Sequence, residues 1–306
     1  MIYVGVDIGG TKTAAAIVDH EGKVLKKNKI PTPASEGGGA VLRASIELGR
    51  NLLDSWNEQP VAIGIGAGGQ VDCRRGVIVS ATDLLPGWAG QPVADRFTAS
   101  FQIPTFVEND VNALAIGEYM FGSAKTYKTS VFIALGTGVG GALMIDGKLH
   151  HGAHWSGGEI GQMIIDFRDS ARHDGAGHKG TLEAYASGHG LVASWRAITG
   201  DQADMTGEQI AQEAEQDSGS PAALAVAQTG RSLGFGLVSI VSVIDPDLIV
   251  IGGGLSLLGD MILGPARSIL SSRALPGPST CPLIVASLGY NSAIVGAAAT
   301  AMAAYQ

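Results

Sequence analysis

Two glycine-rich segments of this chain carry residue types that bind phosphate groups. The first, Gly9-Gly10-Thr11-Lys12, follows the apolar run 2–8, and the second, Gly136-Thr137-Gly138, follows the apolar run 130–135. Backbone N–H groups of such turns bind oxygen atoms without formal charge, so the pair favours the β- and γ-phosphates of a nucleotide. Asp7, just before the first turn, is of a type that orients Mg²⁺ through water. Each segment alone also fits a plain hairpin whose glycines serve only the turn.

Asp110 is the candidate general base. It follows the strand-like run 104–107 and opens the helix-like stretch 110–121. At the carboxyl end of a parallel strand, an aspartate points into the crevice where ligands bind. There it can accept the proton of a substrate hydroxyl group whose oxygen attacks phosphorus. The alternative role for Asp110 is to cap the N-terminus of the helix.

Further polar residues and glycines near predicted junctions can hold a substrate and a nucleotide. Asn109, Glu159 and Glu183 together offer the fixed acceptors that a polyol needs, although each glutamate alone also fits a solvated or capping residue. Gly253 and Gly254 follow the apolar run 247–251 and open a helix. They either seat the adenine-ribose edge of a nucleotide or permit close packing of the helix on the strand.

The composition of the 306 residues excludes several classes of protein. Hydrophobic residues make up 45%, which argues against a disordered chain. The net charge of −8 argues against a nucleic-acid partner, because a binder of the phosphate backbone needs a basic surface. Two cysteines and no C-x-x-C pair favour a reducing compartment, the cytoplasm. Proline and glycine interrupt the uncharged stretch 274–306, so we expect neither a membrane anchor nor a membrane partner.

The elements that must position these residues follow one plan twice. Strand, glycine turn, strand, glycine turn and strand begin at residue 2 and again at residue 130. This repetition predicts a duplicated domain, and the alternation of helix-like and strand-like stretches predicts an α/β architecture. We also expect helical segments at 182–199 and 206–243. A cleft between two lobes is the natural place for a ligand.

Six motifs, in this order, make the chain similar to a known family. They are Asp7-Ile8-Gly9-Gly10-Thr11-Lys12, Glu108-Asn109-Asp110-Val111-Asn112-Ala113, Leu135-Gly136-Thr137-Gly138-Val139-Gly140-Gly141, Gly158-Glu159-Ile160-Gly161, Leu182-Glu183-Ala184-Tyr185-Ala186-Ser187-Gly188 and 245–254. With them the chain resembles, essentially from end to end, the ROK family of repressors and sugar kinases within the actin-like ATPase superfamily. The resemblance implies a two-lobed α/β fold made of a duplicated ribonuclease H-like unit. We expect one lobe at 1–116, completed by the C-terminal helix 291–306, and a larger one at 117–290.

The resemblance implies an ATP-dependent kinase that phosphorylates the 6-hydroxyl group of a hexose or an N-acetylhexosamine, with Mg²⁺ as cofactor. Asp110 is then the catalytic base, and the two glycine hairpins hold the ATP phosphates. The sugar contacts that it implies are Gly69, Thr82, Asn109, Asp110, Glu159 and Glu183. Family habit further implies a homodimer.

The chain departs from the family where many members hold a structural zinc ion. The positions of the four zinc ligands are occupied here by Gln162, Asp174, Ala176 and Thr181, so we expect no zinc at that place. Six of the seven histidines lie between residues 150 and 189. A substitute metal site made of histidines is one interpretation of that segment, and a solvated loop that forms a polar wall of the sugar site is the other.

Several alternatives stay open at the level of the sequence. The segment 82–88 resembles that of N-acetylmannosamine kinases, whereas the segment 182–188 suits glucokinases equally well, so N-acetylmannosamine and glucose are the favoured sugars and the choice stays open. A polyphosphate donor in place of ATP is neither supported nor excluded. The rival function is a sugar-sensing, regulatory protein of the same family without catalysis.

Overall fold

The structure, a computed structural model, describes residues 1–81, 85–200 and 205–305. Within these ranges the chain forms twelve β-strands and nine α-helices. The strands are β1 (Ile2–Ile8), β2 (Lys12–Asp19), β3 (Val24–Pro31), β4 (Ile63–Ala67), β5 (Gln70–Asp72), β6 (Val77–Ser80), β7 (Thr105–Asn109), β8 (Ser130–Leu135), β9 (Val139–Ile145), β10 (Lys148–Leu149), β11 (Leu248–Gly252) and β12 (Leu283–Val285). The helices are α1 (Gly38–Asp54), α2 (Val93–Phe101), α3 (Asp110–Met120), α4 (Glu183–Ala186), α5 (Gly188–Thr199), α6 (Gly207–Gln216), α7 (Pro221–Ile244), α8 (Asp260–Arg273) and α9 (Ser292–Tyr305).

The chain divides into two compact units. The first comprises Met1–Thr126, His151–Gly157 and Ala286–Gln306, and the second comprises Tyr127–His150 and Gly158–Val285. Each unit is therefore built from segments that are separated in the sequence. The short segment His151–Gly157, for example, belongs to the first unit although the residues on either side of it belong to the second. The lobe boundaries expected from the sequence remain a proposal about domain organisation.

The first unit contains a five-stranded sheet in the order β3-β2-β1-β4-β7. β1, β2 and β3 pair antiparallel, whereas β4 and β7 extend the sheet in parallel from β1. The central strands β1 and β4 are almost entirely buried because their sequences are apolar and glycine-rich. β3 forms an edge and alternates between more and less exposed residues, and its lysines discourage pairing with another chain.

Helix α9 packs against this sheet at a distance that only glycine permits. A Cβ atom at Gly64 in β4 would overlap the carbonyl oxygen of Ala297, and one at Gly5 in β1 would overlap that of Ile294. The alanine-rich sequence of α9 presents a correspondingly smooth surface, and most of its residues are buried. The close approach of helix and strands explains why this part of the chain needs small residues on both sides.

The second unit repeats the same sheet. Its strand order is β10-β9-β8-β11-β12, with the first three strands antiparallel and the last two added in parallel. Its core is formed by β8 and β11 together with α7, α8 and the helices around them. The duplication and the α/β architecture predicted from the sequence are therefore confirmed.

The predicted helical stretches are interrupted where the sequence supplies caps. The segment expected at 182–199 breaks into α4 and α5 because Ser187 caps α5, its side chain accepting a hydrogen bond from the Gly190 N–H. The segment expected at 206–243 breaks into α6 and α7 because Ser220 caps α7 and Pro221 occupies its first turn. Each predicted helical segment therefore consists of two helices.

One helix in the described ranges, α7, is long and apolar enough by length and composition to cross a membrane. Of its apolar window, 56% is buried inside the structure. α7 packs against α5, α6 and α8, as expected of a helix at the centre of a folded unit.

Candidate active site

The first glycine hairpin joins β1 to β2 and is held by a hydrogen bond from the Gly9 N–H to the Lys12 carbonyl oxygen at 3.1 Å. The hydroxyl group of Thr32 donates to the Gly9 carbonyl oxygen at 2.7 Å, which fixes the turn from the β3 side. Among the described residues, none would come within 4 Å of a Cβ atom at Gly10. The hairpin is therefore anchored at its base and open at its tip, as a backbone that receives phosphate oxygens must be.

The strand register brings Asp7 to the same sheet edge as the Glu108-Asn109-Asp110 motif. Asp7 lies opposite Gly66 of β4, and Gly66 lies opposite Glu108 of β7. Since β1, β4 and β7 are parallel, their carboxyl ends meet at one edge, where ligands bind in open α/β sheets. The sheet thus brings together two segments that are about a hundred residues apart in the chain.

Asp7 and Asp110 influence each other electrostatically. Burial, and next the charge of Asp110, raise the pKa of Asp7 to about 7, while Lys12 acts in the opposite direction. Burial also raises the pKa of Asp110, against hydrogen bonds from the backbone N–H groups of Val111 and Asp110 and from Asn109. A desolvated carboxylate with a raised pKa is a better proton acceptor than an ordinary aspartate.

This pair of carboxylates also fits a magnesium ion. Oxygen ligands are what Mg²⁺ prefers, and a divalent cation would relieve the unfavourable charge of two desolvated carboxylates. That Asp7 is the residue of the pair that orients Mg²⁺ stays a prediction.

Asn109 holds the beginning of α3. Its side-chain oxygen accepts hydrogen bonds from the N–H groups of Val111 at 2.9 Å and Asn112 at 3.1 Å. The cap of the helix is therefore Asn109, and the alternative in which Asp110 is the cap was wrong. Asp110 is the first residue of α3, and one of its carboxylate oxygens accepts from the Val111 N–H at 2.9 Å.

Asn109 also contacts another predicted sugar residue. Its side-chain nitrogen donates to the Gly69 carbonyl oxygen at 3.0 Å. The structure thus brings Gly69, Asn109 and Asp110 together in the first unit. Thr82, predicted as a further sugar contact, lies outside the described residues.

In the second unit, Glu183 is fastened to the other glycine hairpin. Its carboxylate accepts a hydrogen bond from the Val139 N–H at 2.8 Å, and a Cβ atom at Gly138 would overlap that carboxylate. The Gly136 N–H donates to the Gly138 carbonyl oxygen at 3.0 Å, which closes the turn. Glu159 is exposed and precedes the short 3₁₀ turn Ile160–Gln162. No motif in the sequence indicates the hydrogen bond between Glu183 and Val139, because the two residues are far apart in the chain.

The second unit also contains a cavity of about 1110 Å³ beside this hairpin. Three of the residues predicted to bind ATP line it: Gly136, Thr137 and Gly254. Residues that the sequence analysis missed also line it, among them Gly188, His189 and Arg196 at α5. The one signal for them in the sequence is that α5 begins with a glycine, Gly188, which leaves the backbone at the start of the helix open to a ligand.

Gly253 has a different role from Gly254. Its φ angle is +83°, and a Cβ atom there would overlap the carbonyl oxygen of Leu135 at the end of β8. It therefore lets the turn after β11 pack on β8, which is the packing role weighed above. Gly254 alone of the two lines the cavity.

The four positions that correspond to zinc ligands in the family form a hydrogen-bonded cluster. The side chain of Asp174 is fully buried. One carboxylate oxygen accepts from the N–H groups of Ala176 at 2.9 Å and His178 at 2.8 Å, and the other accepts from Thr181 at 3.0 Å and Gln162 at 3.4 Å. Structural zinc is held by thiolates and imidazoles. Of the four side chains here, one is a carboxylate, one an amide, one a methyl group and one a hydroxyl group, so they do not fit such a site.

The repeated sheets and the comparisons with known proteins define the class. The chain has the actin-like ATPase fold, in which a ribonuclease H-like sheet occurs twice. The sequence model of the ROK family matches residues 3–304, so this chain belongs to the ROK family.

Its relatives include enzymes and a regulator. A glucokinase of Streptomyces coelicolor is 36% identical, with 97% of this chain and 96% of the relative covered. The crystal structure of a ROK glucokinase from Streptomyces griseus in complex with glucose and AMPPNP has a TM-score of 0.85 at 31% identity, covering 99% of this chain and 100% of that one. A xylose repressor of Caldicellulosiruptor bescii is 25% identical, with 89% of this chain and 70% of the repressor covered.

Proposed function

We propose that this protein is an ATP-dependent sugar kinase that phosphorylates the 6-hydroxyl group of a hexose or an N-acetylhexosamine. Glucose and N-acetylmannosamine are the two favoured substrates. The observation that carries the proposal is the placement of Asp110 at the end of β7, with a raised pKa and with Asp7 and Asn109 beside it. The glucokinases among its relatives support the same reaction and the use of ATP.

In the proposed reaction, Asp110 accepts the proton of the sugar 6-hydroxyl group while the oxygen of that hydroxyl group attacks the γ-phosphorus of ATP. One P–O bond forms to the sugar, the bond to the β-phosphate oxygen breaks, and ADP leaves with that electron pair. Asn109 positions the base because it caps the helix that Asp110 begins. Bound Mg²⁺ would neutralise charge on the phosphate groups.

The remaining residues bind the two substrates. Gly69, Thr82, Asn109, Glu159 and Glu183 are assigned to the sugar hydroxyl groups. The hairpins Gly9–Lys12 and Gly136–Gly138 are assigned to the phosphates, and the cavity lined by Gly254 is assigned to the nucleoside. The volume of about 1110 Å³ lies slightly above the usual range for small-molecule sites, which ends at about 1,000 Å³.

We further propose that the protein acts as a homodimer in the cytoplasm. Both of its cysteines are free thiols, which is compatible with a reducing compartment. The oligomeric state can be measured by light scattering on the purified chain.

The proposal is tested by measuring ADP release from Mg·ATP with a panel of sugars: glucose, mannose, fructose, allose, N-acetylglucosamine and N-acetylmannosamine. Turnover that depends on one sugar, with a sugar 6-phosphate as product, supports the proposal and decides whether position 2 carries a hydroxyl or an acetamido group. Polyphosphate in place of ATP tests the phosphate donor.

The second candidate is a regulatory protein that binds sugar without catalysis, and the similarity to a xylose repressor favours it. The two functions differ in one result. A regulator binds a sugar measurably by calorimetry but releases no ADP above the rate without sugar. A kinase binds the sugar and also releases ADP faster when the sugar is present.

A further inference from the structure

Three segments of the first unit bring a cysteine, a glutamate and a histidine together. Cys73 follows β5, Glu108 is part of β7, and His151 begins the segment His151–Gly157. The His151 Nε2 atom lies 3.5 Å from the Cys73 Sγ atom and 2.6 Å from a carboxylate oxygen of Glu108. The three candidate ligand atoms all lie within 4.8 Å of one another.

The carboxylate of Glu108 is held in place by its own hydrogen bonds. Glu108 is only 3% exposed. Its second oxygen accepts from the Asn109 N–H at 2.9 Å and from the Asn112 side-chain nitrogen at 3.0 Å. These bonds leave the first oxygen directed at His151, and such outer partners are what orient the ligands of metal sites.

The other two residues are fixed but reachable. The His151 side chain is 28% exposed, and Cys73 is half-buried. The His151 ring meets the Trp155 ring edge-on at 5.7 Å between centroids, and the guanidinium group of Arg74 lies 5.5 Å from the centre of that same Trp155 ring. The segment is also tied at Ser156, whose hydroxyl group accepts from the Gln70 side chain at 2.6 Å. A metal ion can enter from solvent without displacing the fold.

We propose that Cys73, Glu108 and His151 bind a zinc ion. Thiolate, imidazole and carboxylate are the three donor types that zinc takes, and three protein ligands leave a fourth position for water. Zinc lies about 2.0–2.3 Å from such atoms, so tetrahedral ligands stand roughly 3.4 Å apart. The separation of Sγ from Nε2 already has this value, and that of Nε2 from the Glu108 oxygen needs to open by less than about 1 Å.

This site is separate from the positions at which ROK relatives carry zinc. It uses none of Gln162, Asp174, Ala176 and Thr181, whose cluster belongs to the second unit. It also differs from the metal site made only of histidines that the sequence left open. Among the described residues, Cys73, Glu108 and His151 form the one group of three or more His, Cys, Asp or Glu side chains whose ligand atoms all stand close enough to hold an ion.

The competing interpretation is a hydrogen-bonded trio without metal. The hydrogen bonds to Cys73 and then Glu108 raise the pKa of His151 to about 10, so a proton on the imidazole can bridge its two neighbours. Both interpretations place one positive centre among the three groups. They differ in whether the thiol is a metal ligand.

The test uses the full chain, stripped with a chelator and titrated with Co²⁺, which reports thiolate ligation by a charge-transfer band in the near ultraviolet. We expect one equivalent of Co²⁺ to produce the band and one equivalent of Zn²⁺ to remove it. Cys73→Ser should abolish the band. Asn112→Ala should weaken Zn²⁺ binding about 10–100-fold, as loss of an outer partner does at other metal sites.

Cys281→Ser is the matched control, because Cys281 is the other cysteine of the chain and belongs to the second unit. It should retain the full band. No band in the wild-type chain, or a band that survives Cys73→Ser and disappears in Cys281→Ser, would overturn the proposal. Circular dichroism of each variant shows whether it is folded. Sugar turnover does not enter the readout, so the outcome is independent of the proposed kinase activity.

Discussion

The side chain of Asn109 donates a hydrogen bond to the Gly69 carbonyl oxygen at 3.0 Å while its oxygen caps α3. A single amide therefore fixes the turn after β4 and the first turn of α3 relative to each other. Asp110 begins that helix, so its position depends on the hydrogen bonds that the Asn109 side chain makes. The assignment of Asn109 to the sugar thus includes a positioning role for the base.

The raised pKa of Asp7 predicts a stability effect with a definite sign. Its pKa is about 7 in the folded chain, against about 3.9 in the unfolded chain. Asp7 therefore begins to destabilise the fold as the pH rises above about 3.9, and the full effect is present above about pH 7. Asp7→Asn should raise the midpoint of thermal unfolding at pH 8. The difference from wild type should shrink as the pH falls and vanish below about pH 4, where the carboxyl group is neutral in both states.

The measurement is a set of melting curves in metal-free buffer from pH 4 to pH 8. Glu47→Gln is the control, since Glu47 is exposed on α1. An Asp7→Asn chain that is less stable than wild type at pH 8 would contradict the electrostatic account. The same variant should bind Mg·ATP more weakly, because the amide lacks the carboxylate charge proposed to orient Mg²⁺ through water.

Gly64→Ala should destabilise the first unit strongly. The new methyl group would overlap the Ala297 carbonyl oxygen, and backbone on both sides leaves no flexible atom to move. We expect a loss of at least about 1–3 kcal/mol in the free energy of unfolding, as for overpacked cores. Gly39→Ala in α1 is the control, because its nearest neighbour is the flexible end of Arg43 at 3.5 Å. Equal midpoints of urea unfolding for the two variants would show that α9 does not lie where we describe it.

The cluster around Asp174 should stabilise the fold without zinc. Burial raises the pKa of Asp174, but hydrogen bonds from His178, Thr181 and Ala176 outweigh it, so the pKa lies below its usual range. The resulting stability is present above the unfolded pKa of about 3.9 and is lost as the pH falls through the folded value. Asp174→Asn should therefore lower stability at pH 7 by about 1–3 kcal/mol and by less near pH 3.

Urea unfolding at the two pH values measures this difference, with the exposed Asp169→Asn as control. A deficit of Asp174→Asn that is equally large near pH 3 would mean that the loss of a hydrogen-bond acceptor, and not the loss of charge, destabilises the cluster.

Much of the fold could be predicted because its signals are local. Glycine turns between short apolar runs specify β1–β3 and β8–β10, and two copies of one plan reveal the duplication. The residues of the candidate site stand in short motifs, so the sequence also places Asp110 at the end of a strand. The choice of cap between Asn109 and Asp110 could not be predicted, because both residue types cap helices equally well.

Contacts between distant residues were beyond the sequence. His151 meets Cys73 across 78 positions and Glu108 across 43, and neither pairing has a motif. The cavity lining at α5 likewise depends on how helices pack, and a single-sequence pattern does not encode that packing. The break between α6 and α7 is different, since Ser220 and Pro221 are residue types that mark the start of a helix.

The most direct test of the account compares ADP release by the wild-type chain and by Asp110→Asn, at saturating Mg·ATP and the preferred sugar. The variant keeps an oxygen that can accept from the Val111 N–H but cannot take a proton. Asp260→Asn is the matched control, since Asp260 is likewise the first residue of its helix. We predict that kcat falls about 10²–10⁴-fold in Asp110→Asn while sugar binding is retained, and that Asp260→Asn is unaffected. The melting midpoint of Asp110→Asn should be no lower than that of the wild-type chain, because burial raises the pKa of Asp110. A kcat near the wild-type value in Asp110→Asn would contradict the role of Asp110 as the base.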